Sequence, residues 1–392
     1  IDSYRLFPAC SDRIMGLAGN GIRYPQSWSE LLPELAGLIL RLLLCHIDRL
    51  RFSCVCRRWR LAAQQHRPHL PPALPFVCLN YTAFLSLPAG EARRAAAAAA
   101  APAAEGISCH GCFDGWLLYG PHERYSNIDK CSLTNPLSGA TIEMPLHLGD
   151  RAKSNMLYTR KFIVCSPDLI SAGCSDCVAF YRPGDPSWSV SPSNDNRGYY
   201  VDFAFYRGKI YALNNLADEL FVHEAGSGAA VEHAIKAQSP NNTVGDLDKN
   251  KLSCHYLVVS CTGKKLLMVK WTVPPYHRRR PTTNFDGITV EVFEADLEEG
   301  RWLEVSSLDD VEALFLGRGC SKAVRFNGED ERFQGNRVYV LGYDNFFGYC
   351  CDAMPSYGFC DLRSGRIGQV RHDRMRVAAW PVISMEWFFP LE

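Results

Sequence analysis

Two Cys-x-x-Cys pairs, Cys109/Cys112 and Cys174/Cys177, have the spacing that could hold a metal or exchange electrons. A zinc site needs four ligands in a tetrahedron. These pairs lie far apart, without the short knuckle spacing of a zinc ribbon, and each sits beside strand-like sequence, which reads as buried free thiols. The histidines are dispersed, and His110, His122, His223 and His255 each fall in strand or loop sequence. No G-x-S-x-G elbow, Walker A loop or H-E-x-x-H helix occurs, so hydrolase, nucleotide and zinc-protease chemistry lack their usual geometry. A copper-radical oxidase needs a Tyr and a Cys joined near two His ligands and a second Tyr. With 17 Tyr and 17 Cys, composition neither assembles nor excludes that set. The expectation is a protein with no catalytic residue, no metal and no cofactor.

One strong basic cluster remains, His277-Arg278-Arg279-Arg280, set between Pro275 and Pro281 and preceded by Tyr276. A planar guanidinium beside an aromatic ring suits an acidic or phosphorylated surface, so Tyr276, Arg278, Arg279 and Arg280 are candidate target contacts; the competing reading is a solvated loop. Over the whole chain Lys+Arg and Asp+Glu both number 42, for a formal charge of zero. Such balance creates no long-range field toward nucleic acid or an anionic membrane. No run approaches the roughly 20 apolar residues of a membrane helix. An odd total of 17 cysteines cannot all pair within one chain. With no secretory signal at the start, a reducing nucleus or cytoplasm is expected. The chain opens at Ile1 instead of Met, which leaves its true start open.

The densest pattern lies between Trp28 and Arg60. Pro33 suits a first helical turn, and Ser27 with Glu30 could form a capping box upstream. A helix is expected from about Leu32, with Leu35, Leu38, Ile39 and Leu42 along one face. After a break at Cys45-His46-Ile47, Asp48 reads as an N-cap. Leu50, Phe52, Val55, Cys56 and Trp59 then make a second apolar face, rimmed by Arg49, Arg51, Arg57, Arg58 and Arg60. This is more apolar surface than two or three short helices can bury alone, so it reads as half of an interface. The order Leu32-Pro33-x-Leu35, Asp48-x-Leu50-Arg51-Phe52, Val55-Cys56-x-x-Trp59-Arg60 resembles the F-box. That resemblance implies binding of a Skp1-like adaptor, and through it a cullin-RING ubiquitin ligase, by Leu32, Pro33, Leu35, Leu38, Ile39, Leu50, Val55, Cys56 and Trp59.

Beyond Pro68 helical periodicity gives way to short β-rich runs punctuated by Gly, Pro, Asn and Asp. A loose repeat recurs. Gly115-Trp116-Leu117-Leu118-Tyr119 precedes Cys131 to Asn135 and the turn Ser138-Gly139. Gly208-Lys209-Ile210-Tyr211 precedes Leu220 to Glu224 and Ser227-Gly228. Asn336-Arg337-Val338-Tyr339 precedes Tyr357 to Leu362 and Ser364-Gly365. A partial copy runs from Val290 to Asp296, then Gly300 and Trp302. Such units expose apolar faces that only stacking can cover, which favours a β-propeller over a β-sandwich. These marks, with Leu314-Phe315-Leu316-Gly317 and Cys320-Ser321-Lys322-Ala323-Val324, are similar to a plant family, expanded in grasses, that joins an F-box to a kelch-like propeller long called domain of unknown function 295.

The expected fold is therefore mainly β: a C-terminal kelch-like β-propeller over residues 74–390, preceded by a small all-α F-box helical bundle at 27–66 and a linker at 67–73. Residues 1–26 receive no assignment, and the alanine-rich stretch 91–106 reads as a loop insertion. The resemblance implies a non-catalytic substrate adaptor of a Skp1–cullin–F-box (SCF) ligase, with loops of the propeller selecting the target. The alternative is a propeller scaffold that never joins a cullin.

Overall fold

The computed structural model describes residues 28–71, 73–79, 83–87, 91–94, 107–121, 129–148, 159–192, 198–215, 218–225, 232–236, 252–273, 288–326, 333–341, 356–371 and 385–390. Three helices open it: α1 (Pro33–Leu42), α2 (His46–Cys54) and α3 (Arg57–His66). Leu32 is the cap residue of α1 and Pro33 its first residue, where a missing N–H costs nothing. The α2 start differs from the expected one. Cys45 is the cap residue, and Asp48 lies inside the first turn, where its carboxylate pairs with Arg51 at 3.0 Å. An acid there still faces the positive end of the helix dipole. Glu30 belongs to a 3-10 turn at Trp28–Glu30, and Ser27 lies outside the described residues. Fully extended backbone at Cys56 splits the second apolar face between α2 and α3.

Among the described residues the strands form six sheets, the blades of a propeller. The first has β1 (Phe76–Leu79), β2 (Ala83–Ser86) and β3 (Glu91–Arg94). The second is β4 (Ile107–Phe113), β5 (Trp116–Pro121), β6 (Lys130–Thr134) and β7 (Thr141–Pro145). The third is β8 (Lys161–Ser166), β9 (Leu169–Gly173), β10 (Cys177–Tyr181) and β11 (Ser189–Pro192). The fourth is β12 (Tyr200–Tyr206), β13 (Lys209–Asn214), β14 (Leu220–His223) and β15 (Glu232–Ile235). The fifth is β16 (Leu252–Val259), β17 (Leu266–Val273), β18 (Thr289–Asp296) and β19 (Arg301–Glu304). The sixth is β20 (Glu312–Leu316), β21 (Lys322–Arg325), β22 (Arg337–Leu341), β23 (Ser356–Asp361) and β24 (Ile367–Arg371).

The ring is closed by β25 (Met385–Phe388), which returns from the C-terminal end to pair antiparallel with β1, Phe76 opposite Phe388 and Leu79 opposite Met385. Closure removes two exposed sheet edges. Its core is aromatic: Phe315 stacks on Tyr339 at 4.9 Å and meets the edge of Trp387 at 5.1 Å. The Trp387 indole N–H donates to the Leu316 carbonyl at 2.9 Å. The sixth blade breaks the simple meander, because β20 runs parallel to β22 and β21 folds back antiparallel on the far side of β20.

The repeat read from the sequence falls on β5 and β6 of blade two, β13 and β14 of blade four and β22 and β23 of blade six, with the partial copy on β18 and β19 of blade five. Its turn chemistry is explicit. Asn135 Oδ1 accepts the N–H groups of Leu137 and Ser138 at 2.9 Å each, and Gly139 follows at φ 74°. Asp361 repeats this on Ser364 N–H, ahead of Gly365 at φ 67°. An Asx side chain that holds the turn, then a residue free to go left-handed, is the mechanism behind these two Gly marks, while Ser227 and Gly228 lie outside the described residues. One expectation needs correction: Glu91–Arg94 is strand β3, paired with β2, and not part of a loop. The Arg93 and Arg94 positions are paired to Phe84 and Ala83, so backbone pairing with β2 makes strand of sequence that reads as loop. Residues 95–106 lie outside the described residues.

Candidate partner-binding face

Helix α1 has two apolar faces, and only one of them is used inside the chain. Ala36 and Leu40 pack with Phe52 and Ala62 in the bundle core, with Ile39, Leu43 and Trp59 around them. At Gly37 the α1 backbone passes against the His66 ring; an added Cβ would stand 2.6 Å from the imidazole. His66 Nε2 lies 2.9 Å from the Pro33 carbonyl, tying α1 to α3.

The opposite face is bare. Leu35, Leu38 and Leu42 stand exposed along α1, the latter two at 56% and 69%, beside Leu32 at 61%. Pro33 is also exposed, and from α2 and its C-terminal cap so are Leu50 and Val55. Ile39, Cys56 and Trp59 are half-buried. Trp59 stacks on Phe52 with ring centroids 4.3 Å apart and donates its N–H to the Trp28 carbonyl at 2.9 Å. It therefore braces the bundle, with only part of its ring left for a partner. Leu61 on α3 and Trp28 are exposed as well. Leu61 lies off the periodic stripes, so no sequence signal singled it out.

The rear of the bundle is fixed to the propeller. Buried Arg49 donates from Nε to the Leu43 carbonyl and from Nη2 to the Pro71 carbonyl, each at 2.7 Å. Leu74 N–H donates to the Leu44 carbonyl at 2.9 Å. Cys45 is buried among Phe76, Phe84 and Phe388 of the first blade, with Ile47 packed on the same cluster. The exposed leucines are thus held at a set orientation to the first blade.

Around the central channel, charges are stitched between blades. Lys161 Nζ on β8 pairs with Asp202 Oδ1 on β12 at 2.9 Å, both side chains buried. Asp202 Oδ2 accepts the N–H of Leu257 on β16 at 2.7 Å. Burial pushes this carboxyl up, and Lys161 opposes it. Glu386 on β25 accepts the Gly319 N–H at 3.1 Å, and burial raises its pKa to about 7. Away from the inner strands, His223 on β14 is enclosed between Ser191 Oγ of β11 at 2.9 Å and the Tyr200 hydroxyl at 3.0 Å, and burial lowers its pKa to about 4.

The Cys-x-x-Cys pairs sit in strand surroundings. Cys109 and Cys112 lie on β4, and Cys174 and Cys177 close the β9–β10 turn through a 2.9 Å backbone bond. Burial raises Cys109 to about 12, and Cys112 and Cys177 are pushed up by their neighbouring thiols and by burial; Cys174 is lowered by the Cys177 hydrogen bond. A thiol held protonated is a poor nucleophile and a poor ligand. Among the described residues no three His, Cys, Asp or Glu side chains gather as metal ligands. No helix among them is long and apolar enough to cross a membrane. Tyr276, Arg278, Arg279 and Arg280 lie outside the described residues.

The family described as F-box domain matches residues 28–70, and the family described as KIB1-4 β-propeller matches residues 84–368. No curated protein matches the chain. A solved structure of PorZ, described as an essential bacterial surface component of the type-IX secretion system of Porphyromonas gingivalis, is similar at 12% identity with a TM-score of 0.27. That alignment takes in 74% of this chain, which spans 36% of PorZ.

Proposed function

Because the chain belongs to the KIB1-4 β-propeller family and carries an F-box domain ahead of the propeller, we propose that it is the substrate-recognition adaptor of an SCF ubiquitin ligase. The α1–α3 bundle binds a Skp1-like adaptor and, through it, a cullin, while the propeller holds the target protein. F-box proteins are typically non-catalytic, and here too the contribution to ubiquitin transfer is proximity: a lysine of the target is kept near the ligase. The protein works in the nucleus or cytoplasm, without a cofactor.

One observation carries the reading: Leu32, Leu35, Leu38 and Leu42 are exposed while the other face of the same helix is filled. Covering one such leucine is worth about 1.5–3 kcal/mol, so water-exposed stripes of this kind favour a partner. The test is co-purification of the full chain with a Skp1-like protein and a cullin. Leu35→Asp with Leu38→Asp should abolish recovery of both and leave the melting temperature within a few degrees, since neither side chain is in the bundle core. Undiminished recovery of the adaptor would sink the proposal, and an adaptor complex that never includes a cullin would reduce the protein to a scaffold.

A further inference from the structure

The two Cys-x-x-Cys pairs share a spacing and differ in geometry. Cys109 and Cys112 follow one another along the single strand β4. Three residues of extended chain, shortened somewhat by the bulge between Cys109 and Gly111, set their Cα atoms roughly 9–10 Å apart. A disulfide tolerates no more than about 7 Å. Cys174 and Cys177 instead flank Ser175-Asp176, the two-residue turn that joins β9 to β10. The register of those strands sets Gly173 opposite Val178, so Cys174 faces Cys177, and the Cys174 N–H donates to the Cys177 carbonyl at 2.9 Å. Hydrogen-bonded partners of an antiparallel ladder have Cα atoms about 5.5 Å apart, in the middle of the disulfide range. Opposed residues also send their side chains to the same face of a sheet, and both thiols pack into one apolar cluster, at 2% and 3% exposure.

Both are free thiols in this structure. They are unequal. Thr159 Oγ1 lies 3.8 Å from Cys174 Sγ, and the Cys177 hydrogen bond holds the Cys174 thiol below its ordinary range. Cys177, its partner in that bond, is pushed up and keeps its proton. A nucleophile therefore stands beside a thiol that can answer it. The backbone around the turn is fixed. The Gly173 carbonyl accepts the Arg160 N–H at 2.9 Å, and the Ser175 carbonyl accepts the Tyr200 N–H at 2.8 Å, which ties the turn to the first residue of β12 in the next blade. Ser175 Oγ accepts Arg160 Nε at 3.0 Å. With the backbone held and the Cα spacing suitable, rotation about the side-chain bonds is enough to join the sulfurs.

We propose that Cys174 and Cys177 are a redox-modification site, a thiol pair that a hydroperoxide converts reversibly to a disulfide on the seam between the third and fourth blades. The Cys174 thiolate attacks a peroxide oxygen; the O–O bond breaks, Cys174 becomes a sulfenic acid, and the departing oxide takes a proton. Cys177 sulfur then attacks Cys174 sulfur, the S–O bond breaks, and hydroxide leaves with the Cys177 proton as water. For hydrogen peroxide the sum is two thiols and one peroxide giving one disulfide and two waters. A bond that closes so short a loop constrains the unfolded chain least, so it adds little to the stability of the fold and is readily undone by a reductant thiol. That suits a reversible mark better than a permanent staple. At Cys109 and Cys112 the same spacing lacks the opposed register and forms no such bond.

The experiment treats the folded full chain with hydrogen peroxide, blocks remaining thiols with N-ethylmaleimide in denaturant, and cleaves ahead of aspartate. Cleavage at Asp168, Asp176 and Asp185 places Cys174 and Cys177 in neighbouring fragments, with Cys165 in a third. The two fragments are expected to stay joined, two hydrogens short of their summed mass, and to separate with dithiothreitol. Cys109 and Cys112 should both carry maleimide. In Cys177→Ser, dimedone should label Cys174; in Cys174→Ser, Cys177 should remain unlabelled. The oxidised chain should keep its β-type circular dichroism spectrum. Maleimide on both Cys174 and Cys177 after peroxide overturns the proposal. So does equal oxidation of Cys109 and Cys112, since spacing and not the fold would then decide, and so does loss of the β-type spectrum in the oxidised chain.

Discussion

At the scale of single residues, Trp59 and Leu38 show how the same apolar pattern serves two ends. Leu38 meets solvent, while Trp59 is stacked on Phe52 and hydrogen-bonded to Trp28. Trp59→Ala should therefore lower the stability of the bundle by about 2–3 kcal/mol, visible as a thermal shift before any partner is added. Glu386 gives a pH signature. Its folded pKa of about 7 stands above the ordinary carboxylate value, so protonation favours the fold: the contribution is complete below about pH 4.5 and is lost as pH rises through 7. Glu386→Gln, a fixed neutral mimic, should match wild type at pH 4.5 and exceed it by roughly 1–3 kcal/mol at pH 8 in denaturant titrations. His223 works in the reverse direction. Its folded pKa of about 4 is depressed, so stability is present above about pH 6.5 and is lost as pH falls through 4.

Among elements, the closing strand and the turns carry different weights. Trp387 is fully buried at the join between the first and last blades, so Trp387→Ala should cost about 3–5 kcal/mol and broaden the unfolding transition as closure weakens. Two glycines separate strain from clash. Gly139 sits at φ 74° with nothing within 4 Å of an added Cβ, and Gly139→Ala should cost about 1 kcal/mol. Gly319→Ala meets the Cys112 backbone instead, and the turn that carries Arg318 has to move. A melting comparison of the two variants should show the larger loss at Gly319.

Over the whole molecule, the bundle and the propeller are joined by packing as well as by chain. Leu44, Cys45, Ile47 and Arg49 all bind the first blade or the segment that leads into it. A fragment from Leu74 onward should fold with a β-type circular dichroism spectrum, because each blade is completed within it. It should melt several degrees below the full chain, since Phe76 and Phe84 lose their cover. A mostly helical spectrum would contradict the architecture.

The sequence by itself determined what depends on neighbours along the chain. Pro33 with its leucines, the Asx–Gly turns at Asn135 and Asp361, and strands marked by aromatic residues are local contests between propensity and hydrogen bonding, legible without a fold. Asp48 and the Glu91–Arg94 strand show the limit even there, since a helix can begin three residues early and a partner strand can recruit sequence that reads as loop. Which face of α1 turns inward was decided by tertiary structure, because both faces are apolar and only the fit of Gly37 against His66 and of Leu40 among Phe52 and Ala62 distinguishes them. The six blades and the return of β25 to β1 were likewise beyond periodicity: each joins residues far apart in the chain, and only closure of the ring brings them within reach.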